Sequence, residues 1–283
     1  MFIAPFGVDV NRFNLNENGE MVPDIIRPEF KEAIAFNRKL YEEGLMNPES
    51  LMTSGTDWSN KIKSGEIGIF MHDPESFSSW NLGLKANVPD GELTIIPSPV
   101  GSSGARGAAT TPAIVSSLYI NSKYKSPEKV LEFLDYLCQE DVKKNLIFGG
   151  VLAEEYVVPT SELDVAERDY RRLITIVYDN SYNKYMLPFE PNADVMQNYI
   201  DNIAGEEGYH SYKADKLESF DKHPDLIPGA NCNLWQEYAA KIFYGELPVS
   251  AYDEFVAEYL KRGGQDIVDE ATSLYKEGKM VKY

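Results

Sequence analysis

Asn231-Cys232-Asn233-Leu234-Trp235-Gln236-Glu237-Tyr238-Ala239-Ala240-Lys241-Ile242-Phe243-Tyr244-Gly245-Glu246-Leu247-Pro248-Val249-Ser250 is the stretch on which the reading of this chain turns. It follows the Pro228-Gly229 break. A helix with one tryptophan at its start runs to a glycine stop at Gly245. A short proline-containing turn comes next, and then a second helix capped by Ser250. A tryptophan so placed would present a flat apolar face to a cleft. The segment from Gly65 to Trp80 has the same character.

The same punctuation is found upstream. Asn18-Gly19, inside residues 14–21, predicts a hairpin tip. The spacing Asn14, Asn16, Asn18, Gly19 mimics the start of a calcium loop, but its twelfth position is Ile25, where a bidentate glutamate is needed. No metal is expected there. Pro28 opens a helix carrying Phe30, Ala33, Ile34, Asn37, Leu40 and Tyr41, stopped at Gly44. A shorter helix follows Thr56, bears Trp58 and Ile62, and stops at Gly65. Ile67-Gly68-Ile69-Phe70-Met71 reads as a buried strand. His72 to Trp80 reads as the loop leaving that strand. Leu93 to Pro97, Ala113 to Val115 and Leu118 to Ile120 give further strand signals, and 99–112 reads as a Gly/Ser-rich crossover.

Ser126-Pro127-Glu128 combines a cap, a first-turn proline and an acid at the positive helix end. Val130, Phe133, Leu134, Leu137 and Cys138 then line one face, which places Cys138 in a core. The remaining residues are mostly helical, with candidates at 161–179, 191–204, 231–244, 250–262 and 264–276. There is no internal repeat.

The bulk properties are those of a globular protein: 283 residues, 43% hydrophobic, 25% charged. A formal net charge of −18 argues against nucleic acid and anionic membrane as partners. No apolar run reaches membrane-spanning length, so no direct membrane insertion is expected. The start, Met1 to Gly7, has none of the parts of a signal peptide. The two cysteines, Cys138 and Cys232, give no support for a disulfide.

Catalytic motifs are absent. There is no phosphate loop, dinucleotide fingerprint, HExxH or paired CxxC. Gly101-Ser102-Ser103-Gly104 has the wrong spacing for a nucleophile elbow. The histidines His72, His210 and His223 are scattered, the last two in polar stretches that read as solvated. Glu154-Glu155 and Glu206-Glu207 are sequence neighbours, which does not place two carboxylates across a glycosidic bond. No cofactor and no enzymatic activity are expected.

The positive signal is aromatic: 3 Trp, 18 Tyr and 13 Phe. An aromatic ring facing the C–H face of a sugar contributes burial and shape, while neighbouring polar groups pair with hydroxyls. Trp58 lies beside Asp57 and Asn60. Trp80 follows His72, Asp73 and Glu75. Trp235 follows Asn231 and Asn233. For each ring, a core role competes with a ligand role.

Taken in order, these segments resemble the extracellular solute-binding proteins of ABC importers, the family that includes maltose-binding protein, and within it the larger LplA-type lipoprotein branch. Tyr41-Glu42-Glu43-Gly44-Leu45 matches the family's first helix end. Thr56 to Met71 matches the short helix and following strand. Pro97-Ser98-Pro99 with Gly101 to Gly107, the helix from Ser126 to Leu134, and Trp235 to Gly245 followed by Pro248 to Asp253 match later motifs.

The resemblance implies an α/β, class II periplasmic-binding-protein-like fold with two lobes. Residues 1–112 and 153–283 would form a largely complete C-terminal lobe, the latter its helical second part. Residues 113–152 would be a strand–helix excursion into an N-terminal lobe that is mostly missing. It implies a carbohydrate ligand, an oligosaccharide, held in an interlobe cleft by Trp235, Trp58, Trp80, His72, Asp73 and Asn231. Permease subunits would be the partners, and the location extracellular, lipid-anchored in the full-length parent. An incomplete lobe would favour self-association. The competing readings are a helical interaction module without a small ligand and a carbohydrate-active enzyme.

Overall fold

The hairpin at Asn18-Gly19 forms. In the computed structural model, which describes residues 2–49, 53–72, 76–110, 118–148, 192–214, 216–229 and 232–282, β1 (Phe13–Leu15) pairs antiparallel with β2 (Met21–Pro23), Asn14 opposite Val22. The reason is local. The Asn16 side-chain oxygen accepts the backbone N–H groups of Asn18 and Glu20 at 3.0 and 2.9 Å, and Gly19 takes φ +75°, where a Cβ would be strained. Two short strands, β3 (Tyr212–Lys213) and β4 (Val281–Lys282), extend the sheet in the order β2-β1-β3-β4, every pairing antiparallel.

The chain divides into two units. One comprises Met1–Ile62, Ile96–Ala113 and Ile203–Tyr283, the other Lys63–Ile95 and Ile114–Asn202.

The first unit contains the sheet and α1 (Pro28–Glu42), and α2 (Gly55–Lys63) runs to its edge. It also holds a helical run from the far end of the sequence, where the expected helices form within a few residues of their predicted limits: α8 (Asn233–Phe243), α9 (Ala251–Tyr259) and α10 (Gln265–Lys276). A short helix, α7 (Glu218–Lys222), precedes them. One apolar core joins sheet and helices: Phe13, Met21, Ile25, Phe30, Ile34, Ile242, Phe255 and Ile267 are all within it. Burial of each such side chain contributes about 1.5–3 kcal/mol. α10 is tied to the sheet where Met21 N–H donates to the Thr272 hydroxyl at 2.9 Å, inside the core. Tyr252 on α9 reaches back to the carbonyls of Ile25 and Arg27 at 2.8 and 2.7 Å.

The second unit has α3 (Phe77–Asn87), α4 (Pro127–Cys138), α5 (Glu140–Phe148) and α6 (Ala193–Asn202). Asn81, buried on α3, donates to Asn192 and accepts the Leu93 N–H, both at 2.9 Å.

Several expectations fail here. Ile67–Met71 makes no strand, and Ile69 is 73% exposed, because no described strand pairs with it. Leu93–Pro97 and Leu118–Ile120 are likewise unpaired. The stretch read as a loop up to Trp80 becomes helical from Phe77. Cys138 is exposed rather than in a core, since α4 buries Leu137. Both cysteines are free thiols. The strand signal at Ala113–Val115 and the helix candidate 161–179 lie outside the described residues.

Candidate functional site

The tryptophans serve different ends. Trp235, at the start of α8, is 5% exposed. Its ring meets Phe30 edge-on at 4.8 Å between centroids and Phe255 at 5.4 Å. Both contacts are core packing, each of a kind that adds about 0.5–1.5 kcal/mol beyond area burial. The expected open face is therefore taken up by α1 and α9. The helical spacing that put Trp235 beside Leu234, Ala239 and Ile242 already carried that signal, since all of these are buried.

Trp58 on α2 is half-buried. Its helix is capped by Ser54, whose hydroxyl accepts the Asp57 N–H at 3.1 Å. In the second unit, Trp80 is 9% exposed on α3, and His72, itself exposed, lies against it with ring centroids 4.6 Å apart. Phe70 approaches the same indole edge-on at 5.7 Å. His72 and Trp80 are thus brought together, with Phe70 as a third member. Asp73 and Asn231 lie outside the described residues.

A hollow of about 360 Å³ opens in the first unit beside the Ile227-Pro228 turn that leads into α8. The sheet supplies Phe13 and Lys213, the β1 approach supplies Asn11, and the β3–α7 connection and α7 supply Lys216, Phe220 and Asp221. Phe13 and Phe220 are buried beneath it, and the apolar surface it offers comes from half-buried Ala214 and Ile227. Asn11, Lys216 and Asp221 are exposed, and their side chains have no hydrogen bond or ion pair to other described residues. An apolar floor with a few unengaged polar groups is how small polar solutes are held. The sequence reading missed these residues. The signal was the Pro228-Gly229 break, which marks the turn but not the lysines across from it.

A larger hollow, about 470 Å³, lies between the hairpin tip and α9–α10. Its rim carries Glu17, Glu20, Glu29 and Glu32. Among the described residues there is no group of three or more histidine, cysteine or acidic side chains placed to hold a metal ion. No described helix is long and apolar enough to cross a membrane.

His223 and His210 are not simply solvated. His223 Nε2 lies 2.9 Å from Asp266 Oδ2, and His210 Nδ1 lies 3.5 Å from the Thr110 hydroxyl.

The chain is similar to lipoprotein LipO of Bacillus subtilis (strain 168), 22% identical over 95% of this chain and 55% of that one. It is also similar to the polygalacturonan/rhamnogalacturonan-binding protein YtcQ of the same organism, 23% identical over 92% of this chain and 53% of that one. The chain thus spans about half the length of these curated relatives. Among solved structures, the alginate-binding protein AlgQ2 superposes with a TM-score of 0.60 at 18% identity, covering 93% of this chain and 57% of that one. The fold is the α/β fold of the substrate-binding proteins. Residues 6–144 match the model of the bacterial extracellular solute-binding proteins.

Proposed function

We propose that this chain acts as the substrate-binding component of an ABC importer at the cell surface, holding an oligosaccharide without transforming it. The observation that supports this most directly is the hollow beside the Ile227-Pro228 turn. Its apolar floor suits a sugar's C–H face, and its unengaged Asn11 and Asp221 suit hydroxyls. The relatives named above, one binding alginate and one polygalacturonan, agree with a carbohydrate ligand. Trp58 supplies an accessible ring in this reading. Trp80 with His72 forms a second aromatic surface, and Trp235 holds the start of α8 from beneath. Asp73 and Asn231 enter this reading from the sequence resemblance alone. Permease subunits are the partners, and a lipid anchor keeps the protein at the cell surface.

Isothermal calorimetry of the 283-residue chain against neutral and acidic oligosaccharides tests the reading. Saturable heat with the saccharide recovered intact supports it. Silence across the panel, or release of cleaved product, removes it.

A further inference from the structure

The larger hollow, of about 470 Å³, takes no part in the saccharide reading, and its walls have a different chemistry. The hairpin brings Leu15 and Glu17 to it. α1 brings Glu29 and Glu32, three residues apart on one face, and α9 with the turn beyond it brings Val256 and Leu260. Leu15 is 37% exposed, and Ile26, Val256 and Leu260 are half-buried, so apolar surface is open between the acids.

The acids differ in what they do for the fold. Glu20 accepts the Asn16 amide at 2.8 Å and steadies the hairpin. Glu29 stands in the first turn of α1, where the helix favours negative charge, and its Oε1 accepts Arg27 Nη2 at 2.8 Å. Arg27, the cation of this lining, is held by Asp24 and Glu29. Glu17 and Glu32 are exposed and make no hydrogen bond or ion pair with described residues. Their charge is not spent on the structure.

Open apolar surface edged by surplus carboxylate is complementary to a helix that is apolar on one face and basic at its margins. A lone metal ion does not match, because among the described residues no three acidic, histidine or cysteine side chains converge. A second copy does not match this rim either, since at −18 it brings acid to acid over most of its surface. We propose that the groove docks a basic amphipathic helix of a partner protein, its apolar side chains on Leu15, Ile26, Val256 and Leu260 and its lysines or arginines on Glu17 and Glu32. This site lies apart from the carbohydrate reading and stands or falls without it.

Fluorescence anisotropy on the intact chain tests the docking. The probe is a labelled helical peptide of leucines and lysines; its counterparts carry glutamate for lysine, or glycine for leucine. The leucine–lysine probe is expected to bind about tenfold or more tightly than either counterpart at low salt, and less tightly as salt rises. Glu17→Gln with Glu32→Gln should weaken it about fivefold, the scale of two exposed ion pairs. Both side chains are exposed and unengaged, and an unchanged thermal melt checks the fold. Asp90→Asn with Asp135→Asn, which removes the same charge from exposed positions elsewhere, should leave the affinity unchanged. Equal weakening by the two double variants would mean that the probe feels only the overall charge, and it overturns the proposal. Equal binding of the glycine counterpart does the same, since the apolar surface would then be idle. Displacement of the probe by unlabelled chain makes a second copy the occupant. Displacement by calcium chloride beyond that of sodium chloride at matched ionic strength makes it a cation, and either result overturns the basic helix. Absence of binding overturns it as well.

Discussion

The Asn14 side-chain amide donates to Asp24 Oδ1 at 2.9 Å, inside the first unit, where Asp24 is fully buried. Asp24 also accepts the Asp9 N–H at 3.0 Å and Arg27 Nη1 at 3.3 Å. The two oxygens thus fasten the approach to β1, the strand itself and the start of α1 to one point. Asn14 and its neighbours, which in the sequence imitate a cation loop, are engaged with carboxylates: Asn14 with Asp24 and Asn16 with Glu20.

Burial pushes the Asp24 carboxyl up to about 6, against the opposing pull of Asn14, Arg27 and the Asp9 N–H. Its folded value therefore lies above its unfolded value near 4. Between those two values the folded chain binds more protons, so this group's contribution to stability is full below pH 4 and is lost as pH rises through 6. The amount is roughly 3 kcal/mol. Asp24→Asn removes the titration. It also turns an amide donor towards one of the N–H groups now satisfied, which costs about 1–3 kcal/mol at any pH. Urea denaturation of both proteins from pH 4 to 7 should show a stability difference that changes with pH as the carboxyl ionises. A difference that stays constant would mean that Asp24 is ionised throughout.

Trp235→Ala should destabilise the first unit by about 3–5 kcal/mol, since it opens a cavity between Phe30 and Phe255. Trp235→Phe should cost less and leave saccharide affinity near its starting value. A Phe variant of full stability that no longer binds sugar would return the ring to the ligand.

Trp58→Ala should do the opposite. Its ring is partly open, so the melt should move little, while saccharide affinity falls about tenfold, the scale of one lost stacking surface. Calorimetry and a thermal melt on the same sample separate the two effects.

Tyr252→Phe should cost about 1–2 kcal/mol. The hydroxyl is buried, and it satisfies the turn between β2 and α1 through the carbonyls of Ile25 and Arg27. Chemical denaturation reads this directly, and an unchanged midpoint would show that water replaces the hydroxyl.

What the sequence disclosed was what neighbouring residues decide for themselves. Pro28 set the start of α1, Asn18-Gly19 the hairpin, Ser126-Pro127 the start of α4, and each stands where those residues put it. What it concealed needed a distant partner. Ile67–Met71 has the composition of a buried strand, but a strand exists only when another pairs with it. Phe77, Trp80 and Leu84 sit at helical spacing on α3, and that signal was hidden by the serines around it. Trp235 shows the limit for a site. A helix-start indole has the same sequence whether its face is open or covered, and only Phe30 and Phe255, brought in from far away, decide it.

The second unit exposes apolar side chains in a short span. Tyr119 is 92% exposed, and Leu118, Leu131, Phe133 and Tyr136 are also open. Clusters of this kind mark association surfaces. Sedimentation velocity of the chain should therefore show mass rising with concentration. Phe133→Lys together with Tyr136→Lys, three apart on one face of α4, should reverse it with little change in stability, because neither side chain is buried in the fold. The lysines add charge where two copies would meet, so rising salt should weaken their effect by screening. A chain that sediments as a monomer at every concentration would show that this apolar face is content with water.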